Sequence, residues 1–165
     1  MANHPPSHYL DIGQQGEDLV TQWLQSTGWL ILHRRFSCRW GEIDIIAQYP
    51  GKEVGEQRCK GAEEENSTLA FVEVKTRSSR NWDAGGREAI TPQKQAKLWR
   101  TAEMFLNQYP ENAEYPCRFD VAIVGYQQIS KLKTHITSAQ DAVFSASIGD
   151  YKFFLEEYIP AAFDL

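Results

Sequence analysis

The sequence predicts one α/β domain in which helices flank a mixed central sheet. Segments with apolar residues at helical spacing alternate with short segments rich in Val, Ile and Phe, in the order helix, strands, helix, strand. The chain has 165 residues, enough for one domain with a sizeable core, and 42% of them are hydrophobic. This content is typical of a globular chain and excludes a disordered one.

The first half of the chain is predicted to hold one helix and two strands. The helix covers residues 11–27, where apolar side chains share one face and Gly28 stands at the C-terminal cap position. Strands are predicted over residues 29–36 and 41–49 because both are rich in Ile, Leu and aromatic residues. Residues 50–67 contain three glycines and eight charged residues, so we expect a mobile insertion there.

The second half is predicted to add a strand over residues 68–76, a polar loop, a helix, and a strand over residues 117–126. Thr91 as the cap and Pro92 at the first helical position mark the start of the helix. Pro110 marks its end.

Three parts of the chain follow from these elements. Residues 1–10 are expected to form a flexible tail, and residues 11–138 the main domain with its insertion. Residues 139–165 are expected to be an extension that packs on the same domain, with residues 151–159 either a strand or a short helix.

Composition excludes several classes of protein. Cys38, Cys59 and Cys117 are an odd number at wide spacing, which argues against a disulfide framework and a cysteine zinc site. The sequence has no run of about 18 apolar residues, so no membrane span is predicted. Its N-terminus lacks a basic-then-apolar signal pattern, so we expect a cytoplasmic protein.

A local basic segment lies within an acidic chain. The net charge is −5, which alone argues against nucleic acid as a partner. Between residues 73 and 100, however, seven basic residues stand against three acidic ones. A basic segment of this kind is what contact with phosphates needs, although a solvated helix face would look the same. The basic residues are Lys75, Arg77, Arg80, Arg87, Lys94, Lys97 and Arg100.

Acidic residues in two predicted strands suggest a metal site. Asp44 stands between Ile43 and Ile45, which are expected on one face of their strand with Asp44 on the other. If the two strands pair, Asp44 and Glu73 converge with Lys75 beside them. Two carboxylates and a backbone carbonyl, that of Val74, suit a hard cation such as Mg²⁺ or Mn²⁺.

Other interpretations of these acidic residues stay open at the level of sequence. Asp44 would also be explained by a buried salt bridge, for example to Lys75. Glu17 is predicted to share the inward face of the first helix, but a glutamate favoured by the helix dipole fits the spacing equally well. Arg118 and Asp120 are interpreted as a structural pair rather than a catalytic one.

Five blocks of the sequence together resemble the YraN-like family of predicted endonucleases. That family is related to archaeal Holliday junction resolvases and has the restriction-endonuclease-like PD-(D/E)XK fold. The ordered combination spans about residues 13–125 and is far more specific than any single block. The blocks are Gly13-x-x-Gly16-Glu17, Gly41-Glu42-Ile43-Asp44-Ile45-Ile46-Ala47, Phe71-Val72-Glu73-Val74-Lys75-Thr76-Arg77, Glu88-Ala89-Ile90-Thr91-x-x-Lys94 and Arg118-Phe119-Asp120-Val121.

The resemblance implies an α-β-β-β-α-β core and a Mg²⁺-dependent endonuclease acting on DNA, including branched DNA, as a homodimer. It implies that Asp44 and Glu73 bind the metal, that Lys75 positions water and that Glu17 assists. Phosphate contacts are expected from one hydroxyl and five basic side chains of the segment 73–100. These are Thr76, Arg77, Arg80, Arg87, Lys94 and Lys97. The alternative is a module that keeps this fold and binds nucleic acid or protein without turnover.

Overall fold

The computed structural model describes residues 11–51, 67–78, 90–132 and 142–163. Its elements are α1 (Ile12–Ser26), β1 (Leu30–Cys38), β2 (Gly41–Tyr49), β3 (Thr68–Ser78), α2 (Pro92–Gln108), a 3₁₀ turn (Pro110–Asn112), β4 (Cys117–Gln128), α3 (Ile129–Leu132), β5 (Phe144–Ile148) and β6 (Tyr151–Phe163). The strands form one sheet in the order β1-β2-β3-β4-β6-β5. Strands β3 and β4 run parallel and the other neighbours run antiparallel, so the predicted mixed α/β sheet is confirmed.

Helix α1 covers one face of the sheet. Asp11 caps the helix, and its side chain accepts a hydrogen bond from the Gln14 N–H at 3.0 Å. Gly28 follows the helix with φ of +92°, as predicted for the C-terminal glycine. The core under α1 consists of Leu19, Val20, Leu24, Ile45, Ala47, Ala70, Val72, Ala122, Val124, Phe153 and Leu155.

Helix α2 covers the opposite face and connects the parallel strands β3 and β4. Its start is the predicted one: the Thr91 side chain accepts a hydrogen bond from the Lys94 N–H at 3.2 Å, and Pro92 occupies the first helical position. The helix ends at Gln108, two residues before Pro110. The core under α2 consists of Phe36, Ile43, Ile46, Leu69, Phe71, Leu98, Ala102, Phe105 and Phe119.

Strand β2 departs from the regular alternation that the sequence predicts. Ile43 packs in the core under α2, whereas Ile45 packs in the core under α1. At the level of Asp44, the neighbouring strand β1 carries Arg35 with φ of +51°, a left-handed conformation that is uncommon outside glycine. The prediction that Ile43 and Ile45 share one face is therefore wrong, because it assumed a regular pleat along β2, whereas the two side chains enter different cores.

The C-terminal segment adds two strands to the same sheet. Strand β6 pairs antiparallel with β4, and β5 pairs with β6 at the sheet edge. Residues 151–159 lie within β6, so the strand is the correct one of the two predicted alternatives. The domain boundary at residue 138 stays a prediction.

A buried carboxylate connects β4 to β6. Asp120 is 1% exposed. Its side chain accepts hydrogen bonds from the Arg118 Nε at 3.1 Å, the Tyr158 hydroxyl at 2.7 Å and the Ala161 N–H at 2.9 Å. Ala161 has φ of +47°, close to a register shift between the two strands. Three donors compensate the desolvation of this carboxylate, in agreement with a structural role for the pair of Arg118 and Asp120.

Several predicted features lie outside the described residues. These are the tail at residues 1–10, residues 52–66 of the predicted insertion, and residues 79–89 of the polar loop, which include Arg80 and Arg87. In the part of the chain that the structure describes, none of the helices has the length and apolar character needed to cross a membrane.

We predict that Asp120→Ala destabilises the protein by about 3 kcal/mol, since it leaves Arg118, the Tyr158 hydroxyl and the Ala161 N–H without their shared acceptor. Urea unfolding followed by circular dichroism measures the effect. Asp150→Ala is the matched control, because Asp150 is exposed in the turn before β6 and its change should cost less than about 0.5 kcal/mol. Equal losses in the two variants would contradict the role of the Asp120 network.

Candidate active site

The site begins where β2 and β3 separate. Their described ladder ends at the pair of Ile45 and Val72. Beyond it, the Val74 N–H donates a hydrogen bond to Asp44 Oδ2 at 2.7 Å, so a side chain takes the place of a strand partner. The N–H and C=O of a strand residue point to the same side of the strand. The Val74 carbonyl therefore faces the same gap as the Asp44 carboxyl group.

Glu73 lies on the side of the sheet that α2 covers and is 6% exposed. Its Oε1 atom lies 3.0 Å from the Lys75 Nζ, and the Lys94 Nζ contacts the same oxygen. Burial is the largest single influence on Lys94 and lowers its pKa, but hydrogen bonding to Glu73 and the negative charges of Glu73 and Asp44 together outweigh it, so the pKa of Lys94 is raised. Two ammonium groups from two different elements thus converge on one buried carboxylate.

Asp44 is electrostatically coupled to Glu73. The pKa of Asp44 is raised from 3.8 to about 7, first by burial and second by the negative charge of Glu73. The bond from the Val74 N–H and the charge of Lys94 act in the opposite direction, and Glu17 adds a further upward contribution. Asp44 is therefore close enough to Glu73 for the two negative charges to interact. Asp44 forms no salt bridge with another described residue, and Lys75 pairs with Glu73 instead.

Glu17 reaches the site from α1 on the opposite face of the sheet. It is 8% exposed and accepts two hydrogen bonds from Arg35, at 2.8 Å from Nε and 3.2 Å from Nη2. It lies beyond the first turn of α1, which contains no acidic residue, so the helix-dipole interpretation does not hold. Its partners are instead Arg35, the arginine with the left-handed backbone, and Arg34, whose Nη2 lies 3.6 Å from the Glu17 Oε2.

A close approach fixes α1 against β3 beside this pair. A Cβ atom on Gly16 would lie 1.9 Å from the Thr76 Oγ1, so only glycine allows the helix to come this near. The Thr76 hydroxyl oxygen is buried and has no hydrogen-bond partner among the described residues. Thr76, expected from the resemblance to contact phosphate, therefore faces α1 with a buried hydroxyl.

Two clefts open beside the carboxylates. One of about 580 Å³ lies between the start of α1 and the end of β3, and Glu17 and Lys75 both line it. The other, of about 270 Å³, lies between the start of β2 and the start of α2, and is lined by Gly41, Glu42, Thr91, Gln93, Lys94, Lys97 and Leu98. Of the predicted phosphate contacts, Lys97 is exposed at this second cleft, and Arg77 lines the first.

The donor set fits a hard divalent cation. Within the described ranges, no group of three or more His, Cys, Asp and Glu side chains could hold a metal ion. Mg²⁺, however, is commonly bound by one or two carboxylates with water completing its shell. Asp44, Glu73 and the Val74 carbonyl offer oxygen atoms only, and burial followed by the charge of Glu73 raises the pKa of Asp44, which a bound cation would oppose.

Arg35 was not predicted as a site residue, and Lys94 was predicted only as a DNA contact. The adjacent basic residues Arg34 and Arg35 within a predicted apolar strand were an available signal, because a buried Glu17 needs a cation. Lys94 was expected to bind DNA, whereas its side chain reaches into the site and contacts Glu73. No local sequence pattern indicates the contact between Lys94 and Glu73, because it depends on how α2 packs against β3.

Comparison with known proteins gives one family. The model of the uncharacterised protein family UPF0102 matches residues 16–124. A UPF0102 protein of Trichormus variabilis is 60% identical over 94% of this chain and 96% of its own length. One from Acaryochloris marina is 46% identical over 96% and 93% of the two chains, and one from Synechocystis is 38% identical over 93% and 97%.

We predict that Asp44→Asn removes a pH-dependent loss of stability from the metal-free protein. The carboxyl group has a pKa of 3.8 in the unfolded chain and about 7 in the folded protein. Below pH 3.8 it does not lower the free energy of unfolding, and the loss grows as the pH rises to about 7. The free energy of unfolding of Asp44→Asn relative to the unaltered protein should therefore rise by about 3 kcal/mol between pH 5 and pH 8. Urea titrations in EDTA at both pH values measure it, with Glu111→Gln as the exposed control. A difference that does not change with pH would contradict the raised pKa.

Proposed function

This chain belongs to the uncharacterised protein family UPF0102, and we propose that it is a Mg²⁺-dependent endonuclease that hydrolyses phosphodiester bonds in DNA. The family prediction made from the sequence, the YraN-like proteins, is confirmed. The nuclease activity, the restriction-endonuclease-like relationship and the metal are the proposal.

The observation that carries the proposal is the pairing of Asp44 with Glu73 at the gap between β2 and β3. Asp44 has a pKa raised to about 7 by burial and by Glu73, with the Lys75 ammonium 3.0 Å from Glu73. A buried pair of carboxylates with a lysine beside it lowers the stability of the fold. Such a group is therefore typical of a functional site. Carboxylate oxygens for a hard cation and an ammonium group for a phosphate are what phosphodiester hydrolysis requires.

Each residue then has a defined task. Bound between Asp44, Glu73 and the Val74 carbonyl, Mg²⁺ would supply a water of lowered pKa and offset the charge that develops on the phosphate. Lys75, held by Glu73, would orient the attacking water or donate a hydrogen bond to a phosphate oxygen. Glu17 would fix Arg35, and with it the irregular level of β1 that lies beside Asp44.

A second candidate function is supported by the lysines themselves. Lys75 and Lys94 both contact Glu73, so this carboxylate is compensated without a metal ion. A fold with such internal compensation would serve as a nucleic-acid-binding module without turnover. Its DNA binding would depend on salt and would survive loss of Asp44 and Glu73.

We expect Mg²⁺-dependent cleavage of at least one of three labelled DNA substrates, namely duplex, single-stranded and four-way branched DNA. Glu73→Gln and Asp44→Asn should each lower the rate by about 100-fold or more, because each removes a charge that would hold the cation. Gel assays with and without EDTA measure this, and the exposed Glu111→Gln should retain full activity.

The same preparation separates the two candidates. Full Mg²⁺-dependent cleavage by purified Glu73→Gln would contradict the assignment of Glu73 to the metal site. Salt-sensitive DNA binding that both variants retain, without cleavage of any substrate, would establish the binding module instead.

A further inference from the structure

The turn between β1 and β2 contacts α2 through two arginine guanidinium groups that lie against one tryptophan ring. The guanidinium carbon of Arg39 lies 4.8 Å from the centroid of the Trp40 ring, and that of Arg100 lies 4.4 Å from it. Arg39 and Trp40 form the turn, and Arg100 belongs to α2. Cation–π contacts of this kind hold the guanidinium planes in defined positions at the surface.

The surface around this stack is cationic. Arg39, Lys97 and Arg100 are exposed. None of the three forms a salt bridge with a carboxylate among the residues that the structure describes, in contrast to Arg34 and Arg35 on β1. Positive charge without a protein counterion attracts a polyanion, and planar guanidinium and indole groups offer faces on which bases stack.

The stack lies next to the second cleft, because Trp40 directly precedes Gly41, which lines that cleft. That cleft runs from Glu42 and Gly41 in β2 to Lys94 and Lys97 in α2, and Lys94 contacts Glu73. Arg100 lies six residues after Lys94, or about 9 Å along the helix at the usual rise per residue. Nucleotides of a stacked strand are separated by about 3.4 Å, so this distance corresponds to between two and three of them.

We propose that Arg39, Trp40 and Arg100 form a subsite that stacks with unpaired bases two to three nucleotides from the scissile phosphate. The inference rests on the proposed function, because it takes the carboxylate site as the place of cleavage. Bases within a duplex are paired and stacked on each other, whereas unpaired bases present their faces to such a subsite. The preferred substrate is therefore DNA in which a single-stranded segment adjoins a duplex.

The test compares the affinities for two DNA molecules in EDTA, where no cleavage occurs. One is a labelled duplex, and the other is the same duplex with a single-stranded overhang of about six nucleotides. Fluorescence anisotropy should show that the unaltered protein binds the overhang DNA about tenfold more tightly than the duplex.

Two variants separate stacking from charge. The double variant Arg39→Lys with Arg100→Lys keeps the positive charges and loses the planar groups, and Trp40→Ala removes the ring that holds them. Both should lose the overhang preference while the affinity for duplex changes less than about twofold. Lys152→Ala, which removes a positive charge from β6 near the far edge of the sheet, should keep the preference.

The possible results distinguish the stacking subsite from the endonuclease activity. Retention of the preference by the folded double-lysine variant, or its absence from the unaltered protein, would overturn the subsite, and melting curves establish that each variant is folded. An overhang preference without Mg²⁺-dependent cleavage would support the subsite and reject the endonuclease. Cleavage with no such preference would reject the subsite alone.

Discussion

The hydrogen bond from the Val74 N–H to the Asp44 carboxyl group is the interaction on which the site depends. Where β2 and β3 separate, the strand partner of Val74 is lost, and a buried N–H without an acceptor would be costly. The Asp44 side chain satisfies it and thereby holds its own carboxyl group in the gap. This one bond thus satisfies the Val74 N–H past the end of the β2–β3 pairing and holds an acidic group in the gap, where its charge interacts with Glu73.

The three acidic residues of the site are compensated in different ways. Glu17 has Arg35 on the side of α1, and Glu73 has Lys75 and Lys94 on the side of α2. Asp44 has a backbone N–H and no cation in direct contact among the described residues. Since burial and, second, the charge of Glu73 raise its pKa to about 7, Asp44 takes up a proton near neutral pH. Under the proposed function, this is the position where a divalent cation would gain most, because it would replace that proton.

The sequence predicted the parts of this arrangement that depend on local patterns. The cap at Thr91, the glycine after α1 and the pairing that brings Asp44 to Glu73 follow from residue type, spacing and strand order. The left-handed backbone at Arg35 could not be predicted, because no residue type or local pattern marks it, and the Glu17 carboxylate that its side chain meets is eighteen residues away. The same holds for Lys94: its helix was predicted, but which β3 side chain it meets depends on how α2 packs across the sheet.

The direction from which a substrate would approach follows from where uncompensated charge lies. The chain has a net charge of −5, so attraction to a polyanion must come from a local surface. On the side of α1, Arg34 and Arg35 are occupied by Asp18 and Glu17. On the side of α2, Lys97 and Arg100 are exposed without a described ion-pair partner, on the helix whose first turn contacts Glu73. Under the proposed function, a phosphate backbone therefore approaches along α2 and meets the carboxylates from that side.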